Sequence, residues 1–303
     1  MSGANGAAPR PLTSGLLLAA IGAIAFSGKA IIVKVGYRHG VDAVTMLMLR
    51  MLFALPLFML LSWWAGRGKP PLTRRDGITV VGLGFSGYYL SSYLDFLGLQ
   101  YISAGLERLI LYLGPTLVLL ISLFVYKKPV KLSQVLALVV SYCGVLLVFG
   151  HEVSLAGVDR SDTWRGAALV LASASVYAVY LSASGQEVQR LGATRLTGLA
   201  TTVACVLCIA QFVVLRPLAA ANVGPTMLWL SLLNALVCTV APVLMVMMAI
   251  ERIGATMTAQ TGMIGPLSTI AMGVLILDEA MNAWIAAGTL LVLAGVWLLA
   301  RSR

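Results

Sequence analysis

Five charged residues stand inside apolar stretches long enough to cross a membrane: Lys29, Arg50, Asp95, Glu107 and Arg108. Each charge near a bilayer centre costs about 2.5–3.5 kcal/mol, so such residues pair with one another or face a polar cavity. Snorkelling to the surface is the alternative for Lys29, Asp95 and Glu107, which lie near span ends; it suits Arg50 and Arg108 less well. Glu107 and Arg108 are adjacent and point about 100° apart on a helix, so at least one must reach another helix. Arg108 and Tyr112 are four apart and share a face, which permits a cation–π contact. The three basic groups could hold a carboxylate, with Glu107 or Asp95 balancing an amine.

Aromatic and hydroxyl side chains add two stripes. Tyr89, Tyr93 and Phe96 fall at i, i+4 and i+7, flanked by Tyr88, Ser92 and Asp95; Ser173, Tyr177, Tyr180 and Ser184 fall at i, i+4, i+7 and i+11. A polar stripe on an otherwise apolar helix faces inward, although tyrosines at span ends also serve as interfacial anchors, an alternative for Tyr88 and Tyr89. No catalytic constellation accompanies them: there is no HExxH, no P-loop and no Ser/His/Asp cluster. Cys205-x-x-Cys208 has redox or metal spacing but lies in an apolar run with no histidine nearby, and reads as packing. No enzyme activity, cofactor or metal is expected.

The elements that carry these residues are membrane helices. The chain has 303 residues, 60% hydrophobic and 11% charged, with a mean hydropathy of +0.95. Ten apolar runs approach or reach spanning length, at 14–34, 43–64, 77–98, 103–126, 133–150, 164–185, 195–215, 225–248, 254–277 and 281–300. Their backbone groups must pair internally, which requires helices, and the continuous apolar character excludes a barrel. The net charge of +10 sets topology and does not mark a nucleic-acid surface. With the N-terminus inside, thirteen Lys and Arg fall in cytoplasmic segments and five in outer ones, which places both termini in the cytoplasm. Leu16–Ile24 with Ala23-x-Ala25 also has signal-peptide character, but its removal would unbalance a repeat.

That repeat has an offset of 151. It superposes Ile102 on Ile253, Ala104 on Ala255, Gly114-Pro115 on Gly265-Pro266, and Gly144-Val145 on Gly295-Val296. At the equivalent turn Lys127-Lys128 faces Asp278-Glu279, so the charge is reversed. Five spans per half is an odd number, so the second half enters the membrane from the opposite side, as in inverted-repeat transporters. The fold expected is all-α integral membrane, ten transmembrane helices as two inverted five-helix repeats around a central cavity. Its units are a cytoplasmic tail (1–13), a first repeat (14–150), an external linker (151–163) and a second repeat (164–303). Gly114, Pro115, Gly265 and Pro266 are paired helix breaks, and paired breaks point to a hinge or a binding site. Gln260 precedes the second break where Leu109 precedes the first.

Tyr101-Ile102-Ser103-Ala104…Gly114-Pro115, Arg252-Ile253-Gly254-Ala255…Gly265-Pro266…Asp278-Glu279…Gly295 and Phe26-Ser27…Lys34 together resemble the drug/metabolite transporter superfamily, in its EamA-type ten-helix group. Glu279 matches an acidic turn position of that group, whereas Lys128 departs from it. The resemblance implies an inner-membrane exporter of amino acids or other small metabolites, without nucleic-acid partners. The candidate substrate-binding residues are Lys29, Arg50, Tyr89, Tyr93, Glu107, Arg108, Tyr112, Tyr177, Tyr180, Gln260 and Met263. Tyrosines and Met263 would favour hydrophobic or aromatic substrates, and buried acids permit protons as coupling ions. The alternatives are a lipophilic-cation drug exporter and a phosphorylated-metabolite or nucleotide-sugar carrier.

Overall fold

The computed structural model describes residues 12–125, 127, 131–155, 160–262 and 264–301, and among them the chain is helical with no strand. The helices are α1 (Leu12–Arg38), α2 (Ala43–Gly66), α3 (Arg74–Leu83, Gly84–Leu90 and Ser91–Gly98 in continuous succession), α4 (Ala104–Leu111, then Gly114–Phe124) and α5 (Leu132–Leu155). The second half comprises α6 (Arg160–Leu191), α7 (Ala193–Leu215), α8 (Pro225–Ala235, Leu236–Val240 and Ala241–Gly262), α9 (Ile264–Leu277) and α10 (Ala283–Arg301). Eight stretches are long and apolar enough to cross a membrane; the shorter apolar α9 and the segmented α3 complete the ten expected spans. Met263, within the candidate site, lies outside the described residues, as does the side chain of Gln260.

Equivalent helices of the two halves run antiparallel. Along α2 and α7, Gly66 lies against Arg195, Gly198 against Ser62 and Met51 against Cys205, while Phe212 clusters with Val44 and Leu49. Along α5 and α10, Ser141 meets Gly295 and Gly144 meets Gly288, while Val148 also presses on Gly288. The remaining pairings exchange under the same symmetry: α1 packs on α8 and α9, and α6 packs on α3 and α4. Even single contacts repeat. Gly15 accommodates the Ile253 side chain, and Gly166, its equivalent at the 151 offset, accommodates Ile102. A Cβ at either glycine would collide with that isoleucine, which is why small residues sit where membrane helices cross closely.

The repeat extends to unusual backbone. Lys127 (φ 49°) and Asp278 (φ 56°) are the non-glycine residues with positive φ among those described, and they are repeat equivalents. Gly84–Leu90 and Leu236–Val240 are π-helical turns, closed by i→i+5 bonds that Ser91 N–H donates to Ser86 and Ala241 N–H to Leu236. The second falls within the positions equivalent to the first. π-turns insert one residue into a helix and often occur at functional sites.

One connection differs from expectation. The turn read at 249–253 is made of helical turns, and helical backbone continues to Gly262. The chain nevertheless doubles back along α1, because Gly15 meets Arg252 and Ile253 whereas Ser27, three turns further along, bonds the Gly265 carbonyl. In the first half Ser103 caps a fresh helix by accepting from Leu106 N–H; its equivalent here is Gly254, which has no side chain to cap with. α3 is started by a reciprocal capping box between Thr73 and Asp76. The Thr73 backbone N–H, with Arg190, holds the Asp76 carboxyl below the ordinary carboxylate range.

Candidate functional site

Three helices of the first half bring four of the five intramembrane charges together. Lys29 of α1 places its ammonium 2.5 Å from Asp95 Oδ2 of α3 and 3.7 Å from Glu107 Oε1 of α4. All three are buried, Glu107 completely. Snorkelling is thus not what these residues do. The ammonium commits to Asp95, and among the described residues neither Glu107 oxygen nor Asp95 Oδ1 receives a hydrogen bond. Arg108 turns the other way, donating to Ser27 Oγ at 3.0 Å, with its guanidinium 5.3 Å from the Phe26 ring and 5.6 Å from the Tyr112 ring.

Arg108 is tied through Ser27 to the second half. Ser27 Oγ donates to the Gly265 carbonyl at 2.9 Å, and Tyr112 OH donates to the Gly262 carbonyl at 2.6 Å. The charged cluster therefore touches the start of α9, where Gly265-Pro266 stands. The two Gly-Pro pairs are repeat equivalents. α4 breaks at Tyr112–Leu113 immediately before Gly114-Pro115, and Gly265-Pro266 lies in helical backbone of α9. Proline in a first helical turn lacks only an N–H that would have no intrahelical acceptor, so Gly114-Pro115 starts a helix segment rather than kinking one.

Arg50 of α2 is buried apart from this cluster. It donates to Ser92 Oγ at 3.2 Å and stacks 4.7 Å from the Phe96 ring centre. Among the described residues no carboxylate lies within ion-pair distance of it, and its Nε has no partner. The thiols of Cys205, Cys208 and Cys238 and, beyond ion-pair distance, the Asp95 carboxyl are its electrostatic neighbours, and burial of the thiols agrees with a packing role for the Cys-x-x-Cys pair.

The tyrosines divide between two zones. Tyr89 and Tyr93 stack in parallel at 6.5 Å and join the α1–α2 core containing Phe96. Tyr177 and Tyr180 are not brought to the charges. Tyr180 donates to Tyr88 OH at 3.2 Å, packs with Val80, Leu83, Leu191 and Leu196, and has Tyr177 5.4 Å away. Of the stripe expected to face inward, Tyr180 contacts α3 near its π-turn, where Gly87 makes room for its ring, whereas Tyr177 is exposed. Two residues were missed by sequence reasoning. Ser231 and Asn234 of α8 are fully buried, and none of their side-chain polar atoms has a partner among the described residues. An Asn inside the apolar run 225–248 was the available signal.

The end of the molecule that carries Ala104 is tied across the halves, where Ala104 N–H donates to Glu279 Oε1 at 2.9 Å and Arg38 donates to the Leu277 carbonyl; within the first half Ser103 donates to Glu152. Ala104–Leu111 packs on both α6 and α9, whereas Gly114–Phe124 packs on α6, so α4 meets α9 along its first segment.

Comparison with known proteins gives a concordant result. The EamA-like transporter family model matches twice, at residues 13–150 and 164–301. The chain is 30% identical over 285 residues to the Bacillus subtilis (strain 168) protein named uncharacterized transporter YcbK, covering 90% of this chain and 88% of that one. It is 24% identical over 100 residues to uncharacterized transporter YetK of the same strain, covering 33% of this chain and 30% of YetK. A solved crystal structure superposes with a TM-score of 0.61 at 17% identity, covering 95% of this chain and 98% of the other, and so shares the fold.

Proposed function

Because this chain belongs to the EamA-like transporter family, we propose that it exports small metabolites, amino acids foremost, from the cytoplasm by alternating access. It is a multi-pass membrane transporter and not an enzyme. The observation that carries the finer reading is Arg50, a buried guanidinium without a carboxylate partner among the described residues. A buried charge is costly until it is paired, and a substrate carboxylate is the natural counter-ion. Phe96, Tyr89 and Tyr93 stand in the same core as apolar contacts for a hydrophobic or aromatic side chain. Both intramembrane acids engage Lys29, which weakens the lipophilic-cation reading. A phosphorylated metabolite would use the same guanidinium and is the second reading. The site lies in an inner membrane with both termini cytoplasmic, on the positive-inside distribution.

Counterflow of labelled Phe, Trp, Leu, Thr and Lys in liposomes tests the substrate class. Saturable exchange of the aromatic or branched species is expected, and exchange of phosphorylated metabolites alone would replace the reading. The Gly-Pro segments act as hinges in this scheme, with the observed break at Tyr112–Leu113 before Gly114-Pro115 as the point about which α4 reorients. Pro115→Ala with Pro266→Ala is expected to slow turnover severalfold while leaving the substrate dissociation constant within about twofold. Equal turnover in the double variant removes the hinges.

Protons are the coupling ion in this reading. Lys29, Asp95 and Arg108 surround Glu107, and a proton shared by the two carboxyls supplies the donor their oxygens lack. Glu107→Gln should abolish acceleration of export by a pH gradient while counterflow continues. A variant that still responds to the gradient excludes Glu107 as the carrier.

A further inference from the structure

Ser231, Asn234 and Cys238 lie on one face of α8, at i, i+3 and i+7. That face is turned inward. The segment Pro225–Ala235 packs on α2 and α1, and Gly28 of α1 sits directly against the Cys238 sulfur. Ala235 and Cys238 pack in the same core cluster as Met51 and Phe96, and Arg50 stacks on Phe96, so this part of α8 borders the core that Arg50 occupies.

Both Ser231 and Asn234 are completely enclosed, yet among the described residues Ser231 Oγ and both Asn234 amide atoms lack a hydrogen-bond partner. On the opposing α2, Arg50 Nε is likewise unpartnered. An enclosed polar group without a partner costs about 1–3 kcal/mol, and a structural role would supply the bond. The π-turn beginning two residues after Asn234 does not relieve it. Thr239 donates to the Asn234 backbone carbonyl at 2.9 Å, which leaves the side-chain amide unbonded. The equivalent π-turn of α3 is followed directly by the helix that presents Ser92, the one hydrogen-bond partner described for Arg50. The two π-turns thus flank polar side chains from opposite halves of the repeat.

We propose that Asn234, assisted by Ser231, is the second-half component of the substrate site, donating its amide to the carboxylate that Arg50 neutralises. The assignment rests on the carboxylate reading given above. It makes Asn234 a specificity-determining residue, and its binding partner a small organic carboxylate.

Full-length Asn234→Leu and Asn234→Asp proteins test it in two independent ways. In liposomes, Leu should raise the KM for phenylalanine counterflow about tenfold or more, as loss of a hydrogen bond to a charged group does, and Asp should raise it further by like-charge repulsion. In detergent, Asn234→Leu should melt at or above the wild-type temperature, because it removes unsatisfied buried groups. An unchanged KM, or a melting temperature lowered by several degrees, overturns the assignment, the latter by revealing a structural partner for the amide. A wild type that exchanges no amino acid overturns the transport reading alone, and the melting comparison still decides for Asn234.

Discussion

Lys29→Met is expected to leave little folded protein. Removing the ammonium strands Asp95 and Glu107, two buried carboxyls served by one cation. Breaking a buried pair by deleting one partner costs about 3–5 kcal/mol, because the remaining charge stays uncompensated. The recoverable monodisperse protein in detergent, followed on heating, measures this. Replacing Asp95 by Asn and Glu107 by Gln in the same chain should restore much of the loss, since a neutral cluster carries no ionic desolvation cost. A Lys29→Met protein that melts like the wild type shows that Lys29 is not the structural counter-ion.

Arg50→Ala is expected to have the opposite profile, with folded protein retained and transport lost. Arg50 has one hydroxyl hydrogen bond and an aromatic neighbour, and no carboxylate is stranded when it goes. The substrate, however, loses its charge partner. Truncating one member of a buried charge pair costs about 2–5 kcal/mol in binding, or at least about thirtyfold in affinity. Arg50→Lys should recover part of the charge but not the geometry of the planar fork. Wild-type counterflow kinetics in Arg50→Ala would refute the role, and collapse of the folded protein would make Arg50 a structural partner.

The sequence made the spans legible because hydropathy acts residue by residue, and it made the inversion legible because Lys127-Lys128 and Asp278-Glu279 differ in sign at one repeat position. Contacts such as Gly15 with Ile253 and Gly166 with Ile102 carry that symmetry into packing. The convergence of Lys29, Asp95 and Glu107 followed from the cost of isolated charges in a membrane. Which acid Lys29 would prefer did not, since pairing depends on angles between helices that spacing does not contain. Tyr177 and Tyr180 show the same limit. An inward stripe says that a residue meets another helix; Tyr180 meets Tyr88 and the π-turn of α3 instead of the charges, and Tyr177 is left exposed. The π-turns themselves have no hydropathy signature, because one inserted residue changes the bonding pattern without changing polarity. Asn234 was overshadowed by the charged residues, although an uncharged amide buried in a span is subject to the same reasoning.

The most direct test of the account is competition against labelled phenylalanine counterflow by two truncated analogues. 3-Phenylpropanoate keeps the carboxylate and lacks the amine; 2-phenylethylamine keeps the amine and lacks the carboxylate. A carboxylate held by Arg50 predicts that 3-phenylpropanoate competes in the wild type and fails in Arg50→Ala, while 2-phenylethylamine competes weakly in both. Stronger competition by 2-phenylethylamine, unaltered by loss of Arg50, would place recognition on the amine and contradict the account.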